Sequence, residues 1–376
     1  MSATPFKAGL EDVVALTSEI CFIDGQEGRL LYRGYDIDDL ATEATFEEVV
    51  YLLWHGRLPN ASELDALKAA LAAASPLAPG VLDLLERLPA DAPPMDVLRT
   101  AVSALPLFPE GKGGGQEGPI SDAIRLVAEI PTIVAAQARL AAGKRPLAPR
   151  PDLSLAANFL YMLHGTEPDP SSARTFDICL ILHADHELNA STFAARVTAA
   201  TLSDIYAAVT SAIGALKGPL HGGANEQVMR TLLEIGDIER VESWVKEALA
   251  AKRRIMGFGH RVYKTEDPRA THLRRLSEQV SRQAGEAKWY EMSRRMEEVV
   301  RRLKPNLYPN VDFYSASTYH ALGIPTSLFT PVFACSRSAG WTAHILEQYE
   351  NNRLIRPRAE YTGQQRAVYT PLSRRG

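Results

Sequence analysis

The chain has 376 residues, 46% of them hydrophobic and 23% charged, with a net charge of −4 at pH 7, which is material for a large core and for two domains. An acidic balance with no recognised reader motif argues against nucleic-acid binding, and no run approaches the roughly 18 to 20 apolar residues of a membrane span. The opening MSATPFKAGLEDVV lacks the apolar centre of a secretory signal, and Cys21, Cys179 and Cys335 are scattered with no CxxC pair, so inert thiols in a cytoplasmic protein are expected.

In chain order, Ile20 to Gly34 alternates apolar and polar residues around Asp24-Gly25 and reads as a hairpin, nearly the only strand signal. Helical punctuation follows. Thr45 and Glu48 form a capping box and Gly56 with Pro59 ends the helix. Ser62 with Asp65 is read as the next start, and Asp96 after Pro93-Pro94 as another cap. The glycine-rich 108–119 lacks the order of a phosphate loop and reads as a flexible connection. Helices are expected over 120–142 and 153–163, the latter ending at His164-Gly165 with His164 a favourable charge at the C-terminus. Two apolar helical runs lie between 176 and 217, the second from Ala194 to Leu216 and rich in small residues. An amphipathic run from Thr271 to Leu303 and an apolar helix from Pro331 to Tyr349 precede an irregular basic tail. Within 251–304 there are 15 Lys and Arg against 7 Asp and Glu, a local excess of +8 that leaves −12 on the remainder. Such a region tolerates or attracts anions, or is a solvated basic face. The fold class is mainly α.

Four clusters carry candidate chemistry. His183-Ala184-Asp185-His186-Glu187 places two histidines three apart, a spacing that on a helix shares one face and leaves open a metal pair or a binding role. His221, between Pro219 and Gly222-Gly223, is either a turn residue or a histidine held rigidly for chemistry. His260 stands in Gly257-Phe258-Gly259-His260-Arg261-Val262-Tyr263-Lys264, followed by Asp267-Pro268-Arg269, a setting suited to a phosphate or carboxylate. Asp312, in Asn310-Val311-Asp312-Phe313-Tyr314-Ser315, is either a helix N-cap or a desolvated base.

These clusters, with Ser336-Arg337-Ser338 and Arg356-Pro357-Arg358-Ala359-Glu360-Tyr361-Thr362-Gly363, resemble the citrate synthase family in order and wording: HADHE, GPLHGGAN, GFGHRVYK with DPR, NVDFYS and RPRxxYTG. The resemblance runs from about Gly9 to Gly363. It departs after Asp312, where Phe-Tyr-Ser-Ala-Ser stands in place of a glycine following the serine.

The resemblance implies condensation of an acetyl thioester with oxaloacetate, followed by hydrolysis of the citryl thioester. Asp312 is then the base, His221 the donor to the thioester oxygen and His260 the donor to the keto oxygen. His186, Arg269, Arg337 and Arg356 hold oxaloacetate, Arg356 reaching the neighbouring subunit's site in a homodimer, and Arg261 and Lys264 meet the phosphates of coenzyme A. No metal or resident cofactor is implied; acetyl-CoA and oxaloacetate are substrates. A large domain of 1–217 and 321–376 is expected to enclose the cleft with a small domain of 218–320. The long N-terminal extension of the hexameric, NADH-sensitive enzymes is missing, so a dimer without that regulation is expected. Relatives that use propionyl-CoA to make 2-methylcitrate share the motifs. Outside the family, the alternatives are a metal-dependent hydrolase on His183, Asp185 and His186, or a thioester-binding protein without activity.

Overall fold

The computed structural model describes residues 7–10, 13–109 and 118–375; most of the glycine-rich connection lies outside them. The N-terminal strands are β1 (Cys21–Asp24), β2 (Arg29–Tyr32) and β3 (Tyr35–Asp36), one antiparallel sheet with Cys21 opposite Tyr32 and Asp24 opposite Arg29. Asp24 Oδ1 closes the turn by accepting from the amides of Gln26 (2.9 Å) and Glu27 (3.0 Å), as aspartate does in such turns. The turn also grips a distant loop, because the Lys264 amide donates to the Gly25 carbonyl at 2.8 Å.

The described residues otherwise form sixteen α-helices, so the fold is mainly α. The first half comprises α1 (Ile37–Glu43), α2 (Phe46–His55), α3 (Ala61–Ala74), α4 (Pro79–Arg87), α5 (Pro94–Ala104), α6 (Pro119–Ala141), α7 (Leu155–His164) and α8 (Pro170–His183). The second comprises α9 (Ala190–Ala199), α10 (Ile205–Leu216), α11 (Ala224–Ile235), α12 (Val241–Ala250), α13 (Pro268–Gln283), α14 (Ala287–Leu303), α15 (Val311–Ala321) and α16 (Phe329–Glu350). No single helix among the described residues is long and apolar enough to cross a membrane. Helix α16, buried from Phe329 to Ile345, packs against α2, α6, α8, α9 and α10, while α13, α14 and α15 pack on one another and α11 on α15.

Several local expectations change. The Thr45–Glu48 capping box of α2 is present in both halves, but α3 starts at Asn60 with Glu63, not at Ser62 with Asp65. Asn60 and Glu63 exchange side-chain and backbone bonds at 2.9 and 3.0 Å, which satisfies two orphan amides at once. Asp96 lies inside the first turn of α5 and pairs with Lys217 (2.6 Å) and Arg99 (3.1 Å). His164 is not a helix-end charge: burial holds its pKa below the usual value, and Nε2 meets the Leu322 carbonyl at 3.0 Å. The run 194–216 is two helices, since Leu202 turns to φ +64° and Asp204 caps a new start by accepting from the Ala207 amide at 2.9 Å. The run 271–303 is broken likewise, at Gly285 with φ +73°.

The two candidate starts of α3 differ in what they lose on truncation. Asn60→Ala is expected to cost about 1 kcal/mol, read as a lower denaturant midpoint at unchanged slope. Ser62→Ala is expected to stay within about 0.5 kcal/mol of the parent; an equal loss at both positions would contradict the observed cap.

Candidate active site

The candidate residues sit on turns at helix ends, where the backbone is free of the helical repeat but anchored on both sides. Helix α8 ends at His183, so His183 and His186 do not share a helical face, and the metal pair loses its geometry. His183 is fully buried, Nδ1 faces the Cys179 carbonyl at 2.8 Å, and burial brings its pKa down to about 3. His186 lies in the following turn, with Nε2 3.3 Å from Tyr263 Oη and its ring 5.1 Å from that of His260, edge to face. Among the described residues no group of three His, Cys, Asp or Glu side chains is placed to hold a metal ion.

His221 lies in the α10–α11 turn. The Gly222 amide donates to the Leu216 carbonyl at 2.9 Å, and a Cβ on Gly222 would come 2.4 Å from that oxygen, so only glycine permits this close return of the chain. The Ser191 amide, at the start of α9, donates to His221 Nε2 at 3.3 Å. That nitrogen is therefore the ring's acceptor, and Nδ1 carries the proton. Ser191 Oγ stands 2.8 Å from the same nitrogen, receives Trp341 Nε1–H at 3.0 Å and lies 2.8 Å from Asn189 Oδ1.

His260 is fixed in the opposite sense. Its Nδ1 accepts from the amides of Val262 (3.0 Å) and Tyr263 (3.1 Å), so Nε2 bears the hydrogen. The loop that carries it is paired to 308–310: the Gly259 amide meets the Tyr308 carbonyl at 2.8 Å and Asn310 Nδ2 the Gly259 carbonyl at 2.9 Å. Asn310 is also the N-cap of α15, accepting from the Asp312 amide at 3.0 Å. Asp312 is thus not the cap, and its carboxylate is released from backbone duty. The residue is half-buried, yet Oδ1 is enclosed with no hydrogen-bond partner.

Two guanidiniums complete the cluster. Arg269 is 2% exposed and grips Asp267 through Nε (2.9 Å) and Nη2 (2.8 Å), while Asp267 Oδ2 also accepts the Val311 amide at 3.1 Å. Asp267 therefore locks the starts of α13 and α15, and with them Arg269 and Asp312, in register. Arg337 is 1% exposed on α16, donates from Nε to the His183 carbonyl at 2.7 Å and lies over the Phe333 ring. No carboxylate among the described residues forms an ion pair with it.

Burial and these cations set the protonation states. Desolvation, then the Arg337 charge, brings His221 down to about 4; desolvation, then Arg269, does the same for His260. His186 is held well below its ordinary value by burial and by Arg269. Asp312 moves the other way, pushed up to about 7 by loss of water, with Arg269 and Arg337 opposing the rise. The result is a carboxylate of raised basicity and two neutral imidazoles, each with one N–H uncommitted, gathered around the same two guanidiniums. That combination suits removal of a proton next to a carbonyl, with donors for the oxygens on which charge develops.

The remaining candidates lie apart. Arg261 and Lys264 are exposed on the loop after His260, where Lys264 Nζ donates to the Arg261 carbonyl at 3.2 Å. Arg356 is exposed in the irregular segment 351–375 and pairs with none of the other site residues. Ser191, Trp341, Asp267 and Tyr263, which orient the site, carried no role in the sequence reading. Only Asp267 and Tyr263 stood inside a motif that could have drawn attention to them.

Residues 9–358 match the family model described as citrate synthase, C-terminal domain. The chain is 54% identical to citrate synthase 2 of Bacillus subtilis over 369 residues, 98% of each chain. A 2-methylcitrate synthase of Corynebacterium glutamicum is 41% identical over 384 residues, 100% of this chain and 99% of that one. Among solved structures, citrate synthase from Thermotoga maritima is 43% identical with a TM-score of 0.89, covering 99% and 100% of the two chains. The citrate synthase of Thermoplasma acidophilum, solved as a ternary complex with carboxymethyl coenzyme A and oxaloacetate, is 35% identical with a TM-score of 0.90 over 98% of each chain. By the extent of these matches and the order of its site residues, the chain belongs to the citrate synthase family.

Proposed function

We propose that the protein condenses acetyl-CoA with oxaloacetate and hydrolyses the resulting citryl thioester to citrate and coenzyme A. The observation that carries this reading is the enclosed Asp312 carboxylate, which feels the charges of Arg269 and Arg337, the same guanidiniums that act on the two neutral, oppositely fixed histidines. Asp312 takes a proton from the thioester methyl group while His221 Nδ1–H donates to the thioester oxygen. The enol carbon then attacks the keto carbon of oxaloacetate, whose oxygen receives the His260 Nε2–H bond, and water finally cleaves the thioester. An oxyanion donor contributes about 2.7 to 4 kcal/mol and a general base about 10² to 10⁴ in rate, so the steps need both.

His186, Arg269 and Arg337 bind the two carboxylates of oxaloacetate, for which planar guanidiniums are suited. Arg356, exposed on the tail, serves the site of a second copy in a homodimer. Arg261 and Lys264 face the coenzyme A phosphates, and 218–320 closes over the cleft to exclude water before condensation. Free Cys21, Cys179 and Cys335 fit a reducing, cytoplasmic setting.

Thiol release on mixing protein, acetyl-CoA and oxaloacetate is the direct test. Acetyl-CoA is expected to be the better donor; since one methylene is worth only about 1 to 3 kcal/mol, a clear preference for propionyl-CoA would make the protein a 2-methylcitrate synthase. Asp312→Asn is expected to lower kcat by about 10² to 10⁴ while oxaloacetate still binds, as calorimetry would show. Normal turnover in that variant would remove Asp312 from the role of base.

The pH dependence follows from the same groups. Asp312 must be ionised, and its raised pKa of about 7 puts the loss of activity at falling pH near neutrality. The histidines remain neutral until about 4, so kcat/KM should fall with decreasing pH below about 7 and reach a plateau above it. An acid limb centred near 4 would place the controlling group elsewhere.

A further inference from the structure

Behind the turn that carries His186 runs a line of buried polar side chains. Asp185, His344 and Arg196 are 0%, 1% and 3% exposed. Asp185 Oδ2 lies 3.3 Å from His344 Nε2, and His344 Nδ1 lies 3.1 Å from Arg196 Nη1. Arg196 is itself held by Glu347 and by Gln348 Oε1, the latter at 3.0 Å. A guanidinium only donates, so His344 Nδ1 must accept and His344 Nε2 must carry the hydrogen directed at Asp185. Arg196 thereby selects the tautomer of His344, and His344 fixes the carboxylate.

That carboxylate sits at the centre of the turn. Asp185 Oδ2 also accepts the Glu187 amide at 3.2 Å, and Tyr32 Oη lies 2.9 Å from the Asp185 carbonyl and 3.2 Å from its amide. Glu187 has φ +51°, a conformation that non-glycine residues keep only where the surroundings hold it. From the other side, the Gly340 amide of α16 donates to the Ala184 carbonyl at 3.1 Å, and a Cβ on Gly340 would lie 2.4 Å from both that oxygen and Asp185 Oδ1. The turn is pressed against α16 with no room to shift. It begins at His183, whose carbonyl holds Arg337, and includes His186.

We propose that Asp185 and His344 are positioning residues for the dicarboxylate half of the site, holding the turn so that His186 and Arg337 keep one fixed spacing. Neither touches substrate; both act through those two side chains. Asp185 also acts electrostatically on Arg337 without pairing with it, which leaves the guanidinium fork open for a carboxylate. The inference rests on the reading that this site takes oxaloacetate.

The test uses His344→Leu and His344→Gln, with oxaloacetate affinity measured by calorimetry and KM for each substrate by thiol release. His344→Leu is expected to raise Kd and KM for oxaloacetate by about 10²-fold, the scale of an ångström-sized misplacement, and to leave KM for acetyl-CoA near the parent value. Glutamine offers an N–H towards Asp185 and an oxygen towards Arg196, so His344→Gln should restore most of the affinity. An unchanged oxaloacetate Kd in the leucine variant overturns the proposal, as does an equal loss on both substrates or a folded glutamine variant that rescues nothing. Should His344→Leu fail to fold, Asp185→Asn keeps the shape and removes the charge; an unaltered oxaloacetate Kd there overturns the proposal too. Parent protein that binds no oxaloacetate would instead refute the reading of the site itself.

Discussion

Two guanidiniums buried in one enclosure, Arg269 and Arg337, are the constraint on which the rest of the site depends. A buried cation must be balanced or must wait for an anion. Arg269 is balanced by Asp267, whereas Arg337 is held by the His183 carbonyl and the Phe333 ring and keeps its fork uncommitted. The same positive charge discourages protonation of His186, His221 and His260. Burial first, and then the cations that suit a dicarboxylate, keep the neighbouring histidines as neutral donors, and the same cations limit how far the pKa of Asp312 rises.

The helices serve this cluster chiefly by where they stop. His186 follows the end of α8, His221 occupies the α10–α11 turn, and Asp312 opens α15 behind its Asn310 cap. Turns leave backbone amides unpaired, and here those amides set tautomers: Ser191 N–H on His221, and Val262 and Tyr263 N–H on His260. Asp267 then spans two helix starts, which makes the spacing of Arg269 and Asp312 a property of packing rather than of either loop.

Much of this organisation is legible in the chain, but unevenly. Thr45 with Glu48 predicts its capping box because both partners are local. Asn60 with Glu63 was open to the same reasoning, yet Ser62 with Asp65 offered a competing pattern two residues on, and the contact of Arg57 with Glu63 tips the choice. The break at Leu202 is less visible, since leucine rarely adopts a positive φ and the Asp204 cap follows a sequence of good helical apolar residues. His164 shows the converse. Its position at a helix end suggested a charge, but burial among distant segments lowers its pKa, against the opposing pull of the Leu322 carbonyl 158 residues away.

By itself the sequence determined the helical class, the family resemblance and the identities of the histidines, arginines and aspartate of the cluster, because these lie within short motifs whose order is local information. Only the tertiary structure decided which nitrogen of each histidine carries the proton, that Asp312 is enclosed rather than capping, and that Asp185, His344 and Arg196 form one line. Those outcomes depend on partners such as Ser191 and Trp341, 150 residues apart, and on the exclusion of water when distant helices meet. Neither is written in any one segment of the chain.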